Sequence, residues 1–233
     1  MRKDAAVKRL QLAPSILTAD FARLGEEVET VAGCVDWFHL DVMDGHYVPN
    51  ITFGPSTVEA IKKSCDLPLH VHLMIEEPLR FAKAFADAGA DRISFHPEVT
   101  ADPGEVVAYL KELGVGAGIA IHPDVEIEVA EPHLGDLDVL LMMTVRPGFG
   151  GQAFLHEVVP KIDQARRALT RAAASADIEV DGGVNLATVD EAVGAGAEIV
   201  VAGSAVFDGK DPLAAATRMR ERLDLLARED DRD

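Results

Sequence analysis

The sequence predicts a closed barrel of eight alternating strands and helices, a (β/α)8 or TIM barrel, in a single domain over residues 1–233. Three observations predict it. Short apolar, β-branched runs recur eight times, helix-like stretches lie between them, and 233 residues hold eight such units better as a closed barrel than as a doubly wound sheet.

Taken in order, QLAPSIL (11–17) is the first strand, and ADFARLGEEVETVAG follows as a helix that stops at a glycine. DWFHLDVM (36–43) and LPLHVHLMI (67–75) are the second and third strands, with EPLRFAKAFADAGA as the helix after them. DRISFH (91–96) is the fourth, followed by the helix GEVVAYLKELG. VGAGIAIH (115–122), DVLLMMTV (138–145) and IEVDGG (178–183) are the fifth to seventh strands. The helix ATVDEAVGAGA then leads to IVVAGSA (199–205), the eighth. No linker or low-complexity tract interrupts residues 10–226, and the charged ends MRKDAAVKR and AREDDRD are expected to fray.

The composition narrows the function classes. Lys and Arg number 22 against 40 Asp and Glu, a net charge of −18, which argues against nucleic acid or an anionic membrane as partner. It also means that an anionic substrate must be held by local groups. The N-terminal stretch lacks an apolar signal-peptide core, and no run is long and apolar enough to span a bilayer. Cys34 and Cys65 stand outside any CxxC spacing. Inert thiols of that kind suit a cytoplasmic protein.

Barrels of this kind carry their chemistry at the carboxyl ends of the strands. The strand period of two puts His39 with Asp41 on one face, and His70, His72 and Met74 on another. Ser15, His96, His122, Met143 and Asp181 fall at the ends of other strands. His39, Asp41, His72 and Asp181 together could form a four-ligand site, and mixed nitrogen and oxygen donors suit Zn2+, Fe2+, Co2+ or Mn2+ better than Ca2+. Asp44 has the opposite parity to Asp41 and is expected to shape the DG turn.

Glycines cluster after three consecutive strands, in VRPGFGGQAF (145–154), DGGV (181–184) and AGSA (202–205). Glycine lets backbone amides converge on an oxyanion, so these turns are expected to bind phosphate without basic side chains. None of the lysines, at 3, 8, 62, 63, 83, 111, 161 and 210, falls at a strand end, which argues against a Schiff-base enzyme. Ser15, after Pro14, suits a ligand hydrogen bond better than a nucleophile's role.

The segments APSILTADFARL, HLDVMDGHYVPNITFGP, HLMI, FHPE, MTVRPGFGGQAF, VDGGV and VAGSAVF, in that order over about residues 11–210, resemble ribulose-phosphate 3-epimerases. The resemblance implies a divalent metal and a ketose phosphate substrate. It puts His39, Asp41, His72 and Asp181 on the metal ligands and Asp41 and Asp181 on the two proton-transfer carboxylates. Ser15 and His72 fall on substrate contacts, and Met43, Met74 and Met143 on the pocket lining. Gly148, Phe149, Gly150, Gly151, Gly182, Gly183, Gly203 and Ser204 fall on the phosphate site and its covering loop.

The chain departs from the pattern at His70, where the family usually has Asp, and at His122, where it usually has Asn. Both stand as candidate specificity residues. The expected reaction is interconversion of D-ribulose 5-phosphate and D-xylulose 5-phosphate through an enediolate. The alternatives are a 3-epimerase for another ketose phosphate, such as a hexulose 6-phosphate, and a non-catalytic sugar-phosphate binder. A decarboxylase pattern D-x-K-x-x-D is broken by Met43. Family members are often oligomeric, so a homo-oligomer is among the expected partners.

Overall fold

The computed structural model describes residues 9–207, 209 and 211–230. Eight parallel strands form one sheet: β1 (Gln11–Ala13), β2 (Phe38–Met43), β3 (Leu69–Met74), β4 (Arg92–Phe95), β5 (Gly116–Ile121), β6 (Val139–Met143), β7 (Asp177–Asp181) and β8 (Ile199–Val201). From β2 to β8 each strand lies beside its successor in sequence, and β1 pairs with β8. The seam between β1 and β2 is closed by a bridge of Ser15 with His39 and by the His39 N–H donating to Pro14 O at 3.0 Å. The sheet is therefore a barrel that is nearly closed.

The strands are shorter than the sequence suggests, for local reasons. Pro14 offers no N–H to a ladder, and Ser15 leaves β1 to cap a 3-10 helix (Ile16–Thr18), its Oγ accepting from Leu17 N. Beyond β8, Gly203 leads directly into a short helix (Ser204–Phe207), so AGSA is a strand-to-helix turn rather than strand.

The α-helices are α1 (Leu24–Val31), α2 (Pro55–Ser64), α3 (Pro78–Asp87), α4 (Pro103–Glu112), α5 (Val159–Ala172), α6 (Val189–Gly194), α7 (Ser204–Phe207) and α8 (Pro212–Asp230). Between β5 and β6 the crossover is made of 3-10 turns, Ile127–Val129 and Glu131–Asp136. α2, α3 and α4 each begin with proline, whose missing N–H costs nothing in a first turn. Gly89, Gly114 and Gly196 follow helix ends with positive φ, the stops that the sequence signals. α8 runs through Asp230, so the C-terminal stretch expected to fray is helical to that point, while residues 1–8 and 231–233 lie outside the described residues.

The strand period of two is realised. Phe38, Leu40, Val42, Val71 and Leu73 belong to the large apolar cluster between barrel and helices. His39, Asp41, Met43, His70, His72 and Met74 point inward, all of them buried. The register aligns His39 with His70, Asp41 with His72 and Met43 with Met74. At the opposite end of the barrel, Arg92 stacks over the Trp37 ring at 4.5 Å, and Trp37 Nε1 donates to Gln11 Oε1 at 2.6 Å. Cys34 and Cys65 are free thiols. No helix among the described residues is long and apolar enough to cross a membrane.

Candidate active site

At the carboxyl ends of the strands lies a cleft. β2 and β7 place Asp41 and Asp181 in its wall, Met43, Met74 and Met143 line it, and Ser15 reaches it from the turn after β1. The cleft is also lined by Gly148, Phe149, Gly150 and Gly151 from the loop after β6, and by Gly182, Gly183, Gly203 and Ser204 from the turns after β7 and β8. His39 and His72 sit behind the carboxylates, fully buried and outside the lining, so the expected contact of His72 with substrate is not direct in this structure.

His39, Asp41, His72 and Asp181 each offer one donor atom within 4.8 Å of the others. His39 Nε2 lies 3.3 Å from Asp41 Oδ1 and 3.8 Å from Asp181 Oδ2. His72 Nδ1 lies 3.1 Å and 3.8 Å from the same two oxygens. Donors about 2.0–2.1 Å from a tetrahedral ion stand about 3.3 Å apart, so these spacings bracket what such an ion requires. His39 Nε2 is buried without a hydrogen-bond partner, a cost that an ion would remove. The donor set fits a divalent transition ion.

The other ring nitrogens are held from behind. His39 Nδ1 is 2.8 Å from Glu179 Oε1, and His72 Nε2 is 3.0 Å from His96 Nε2. Asp41 is fixed on its second oxygen by Ser15 Oγ–H, donating to Oδ2 at 2.5 Å. Burial would raise the Asp41 carboxyl, but the His39 and His72 imidazoles outweigh it and hold the group well below the usual range. Asp181 moves the other way, raised by burial and then by the charge of Asp41. Burial lowers His39, yet Asp41 and Glu179 together hold its imidazole well above its ordinary value. Asp41 and Asp181 both open onto the cleft, and their carboxyls are shifted in opposite directions.

Among the described residues, no basic side chain lines the far end of the cleft. Arg146 pairs with Asp124 at 3.0 Å and stands outside. What the lining offers instead is backbone. Gly182 and Gly183 have φ of +120° and +67°, and a Cβ on Gly183 would meet Phe154 N at 2.3 Å. The Gly182 carbonyl is tied down by the Thr144 hydroxyl, which donates at 2.6 Å. The covering loop is anchored too: Asn50 Nδ2 donates to Gly148 O at 3.0 Å and Gln152 Nε2 to Phe149 O at 2.8 Å.

Two departures from the sequence pattern fall elsewhere. His70 lies one layer below the cleft, nearly inaccessible, with Nδ1 at 2.8 Å from Glu179 Oε2 and Nε2 at 2.7 Å from Ser94 Oγ. His122 borders a neighbouring cleft with Tyr47, Glu98 and Pro147. Neither lines the main cleft. Asp44 does shape its turn, accepting from His46 N and Tyr47 N at 2.8 and 2.9 Å.

Sequence reasoning missed Glu179 and Thr18. Glu179 shares the inward face of β7 with Asp181, two residues on, a parity visible in IEVDGG. Thr18 lines the cleft and its buried hydroxyl, facing Gly203, has no hydrogen-bond partner among the described residues. It was hidden because the first strand was expected to run up to residue 17.

Comparison with known proteins supplies a family. The profile of the Ribulose-phosphate 3 epimerase family matches residues 11–207. The chain is 50% identical over 213 residues to the ribulose-phosphate 3-epimerase of Bacillus subtilis, covering 91% of this chain and 98% of that one. It is 44% identical to the ribulose-phosphate 3-epimerase of Mycobacterium leprae, covering 91% and 94%. Among solved structures, the 3-hexulose-6-phosphate synthase of Salmonella typhimurium matches with a TM-score of 0.69 at 17% identity, covering 93% and 100% of the two chains. The orotidine 5'-monophosphate decarboxylase of Methanocaldococcus jannaschii matches with a TM-score of 0.68 at 17% identity, covering 92% and 99%. These last two likenesses are of fold.

Proposed function

The chain belongs to the ribulose-phosphate 3-epimerase family, and we propose from that premise that it interconverts D-ribulose 5-phosphate and D-xylulose 5-phosphate with a divalent ion. It is an isomerase of the carbohydrate-epimerase class. The observation that carries the finer reading is the cleft itself. Two carboxylates of a four-donor cluster open onto it, and a cradle of glycine backbone closes its other end.

His39, Asp41, His72 and Asp181 would hold the ion, of the Zn2+, Fe2+, Co2+ or Mn2+ type. When bound, such an ion supplies Lewis acidity that makes the C–H beside the ketone more acidic. The protein's own groups do the rest. Asp41, oriented by Ser15, takes the C3 proton from one face, leaving an enediolate. Asp181 returns a proton to the other face. In the reverse direction the roles exchange. Met43, Met74 and Met143 exclude water with polarisable sulfur. The backbone amides of Gly183, Gly203 and Ser204 hold the phosphate, with the Thr18 hydroxyl beside them.

The test follows D-ribulose 5-phosphate by NMR with metal-loaded enzyme in D2O. Deuterium entering at C3 as D-xylulose 5-phosphate appears, and the loss of both in Asp181→Asn, supports the reading. A folded, metallated protein that exchanges nothing with this sugar overturns it.

A further inference from the structure

Glu179 occupies no place in the chemistry above, yet it is 1% exposed and lies in the barrel interior directly below the four donors. A carboxylate buried that deeply is costly unless each oxygen is satisfied. Both are: Oε1 is 2.8 Å from His39 Nδ1, and Oε2 is 2.8 Å from His70 Nδ1.

These contacts are hydrogen bonds rather than a second ion site. An ion bound to a nitrogen and an oxygen at about 2.0 Å each spreads them to about 3.3 Å in tetrahedral geometry. The donors and acceptors then follow in one consistent order. Each imidazole donates its Nδ1–H to Glu179, and His70 Nε2 accepts from the Ser94 hydroxyl at 2.7 Å. Gly118 makes room for that hydroxyl, since a Cβ there would stand 2.0 Å from Ser94 Oγ.

We infer that Glu179 is a positioning residue for the metal site: it keeps the proton of His39 on Nδ1, so that Nε2 alone is free to ligate, and His70 with Ser94 clamps its other oxygen. The unpaired Nε2 of His39 points at Asp41 and Asp181, on the side away from Glu179. His72 presents the opposite nitrogen, Nδ1, to the same site. The two imidazoles therefore need opposite tautomers, and neighbouring strand backbone alone does not set them. Glu179 sets one. His70 has a task that requires no contact with substrate: it supplies the donor that a second acid at this place would lack.

The inference rests on the metal site proposed above, and its test separates the two. Zinc affinity is measured by chelator competition on wild type, Glu179→Leu and Glu179→Gln, with circular dichroism as a check of folding. Histidine nitrogen shifts are read by NMR on the zinc-loaded proteins. Wild type should show His39 ligating through Nε2 with a proton on Nδ1. Glu179→Leu, which removes the acceptor, should bind zinc about 10- to 100-fold more weakly. Glu179→Gln, which keeps an acceptor oxygen, should recover most of that loss and retain the His39 tautomer. Zinc bound through His39 Nδ1 in wild type overturns the inference. So does unchanged affinity in both variants; should Glu179→Leu not fold, the wild-type spectrum and Glu179→Gln still decide. Zinc that leaves the His39 signals unmoved would instead overturn the metal site itself.

Discussion

Alanine at Gly183 tests the phosphate cradle against a matched control. Gly183 and Gly114 both have left-handed backbone, at φ +67° and +77°, but their surroundings differ. Nothing lies within 4 Å of a Cβ on Gly114, whereas one on Gly183 would meet Phe154 N at 2.3 Å, Phe154 Cα at 2.7 Å and Ala153 C at 2.8 Å. The strain of a left-handed alanine, about 1 kcal/mol, and the unfolded-state entropy it removes are common to both positions and cancel in the difference. What remains is steric. The obstacles are backbone, so residues 153–154 must shift by about 1 Å to reach ordinary contact. The Leu155 N–H donates to Thr144 O at 2.8 Å, and the Thr144 hydroxyl in turn holds Gly182 O. Overpacking of this kind costs about 1–3 kcal/mol, with about 1 more for a weakened hydrogen bond. Taking about 3 kcal/mol in all, Gly183→Ala should melt about 6–12 °C below Gly114→Ala by calorimetry. Its KM for the sugar phosphate should also rise, while that of Gly114→Ala stays at the wild-type value. Equal melting points for the two variants would refute the steric reasoning, and an unchanged KM in Gly183→Ala would refute the cradle.

Chelation of the metal-loaded enzyme should abolish deuterium exchange and lower its melting point. Ion at 100 times its Kd contributes about 2.7 kcal/mol, hence about 5–11 °C, and added Mn2+ or Zn2+ should restore both. His96 is held down to about 4 from 6.5, first by burial, so it stays neutral in the fold while the unfolded chain protonates. At about 1.4 kcal/mol per pH unit, the metal-free protein should lose about 3 kcal/mol more than His96→Gln as the pH falls from 6.5 to 4, read by urea melts. Parallel losses in the two proteins would count against it. His122→Asn, outside the main cleft, should leave kcat/KM for the pentulose phosphate within about twofold of wild type. A larger change would bring the neighbouring cleft into substrate recognition.

The fold and the inward face of its strands were legible because both rest on short-range rules. The period of two gave the shared face of His39 and Asp41, and the glycine clusters marked turns that line the cleft. Strand ends were not legible. Pro14 and Ser15 read as a continuation of an apolar run, but a missing N–H and a capping hydroxyl ended the ladder at Ala13. Long-range pairings were hidden too. Glu179 is 140 residues from His39 and 109 from His70, and only the closed barrel shows that His70 answers an acid on β7.

The same closure bears on how a chain of charge −18 would hold the proposed phosphate, with no basic side chain among the described residues that line its cleft. Some of its acids have work at the opposite face. Asp36, Asp91, Asp138 and Glu198 stand just before β2, β4, β6 and β8, and each accepts the N–H at or next to the start of the strand before it. Those bonds, to Leu12, Leu69, Ala117 and Ile178, measure 2.8–2.9 Å and satisfy donors that the stagger of a parallel barrel leaves open. Arg220, Lys62 and Arg166 pair with Asp36, Asp91 and Glu198 in turn, which limits the field they project. A strand of five residues rises about 17 Å, roughly twice the screening length at physiological salt. Stability chemistry at one end of the barrel is thus kept apart by strand length from the cleft at the other, where the proposed phosphate would meet backbone amides in place of a lysine.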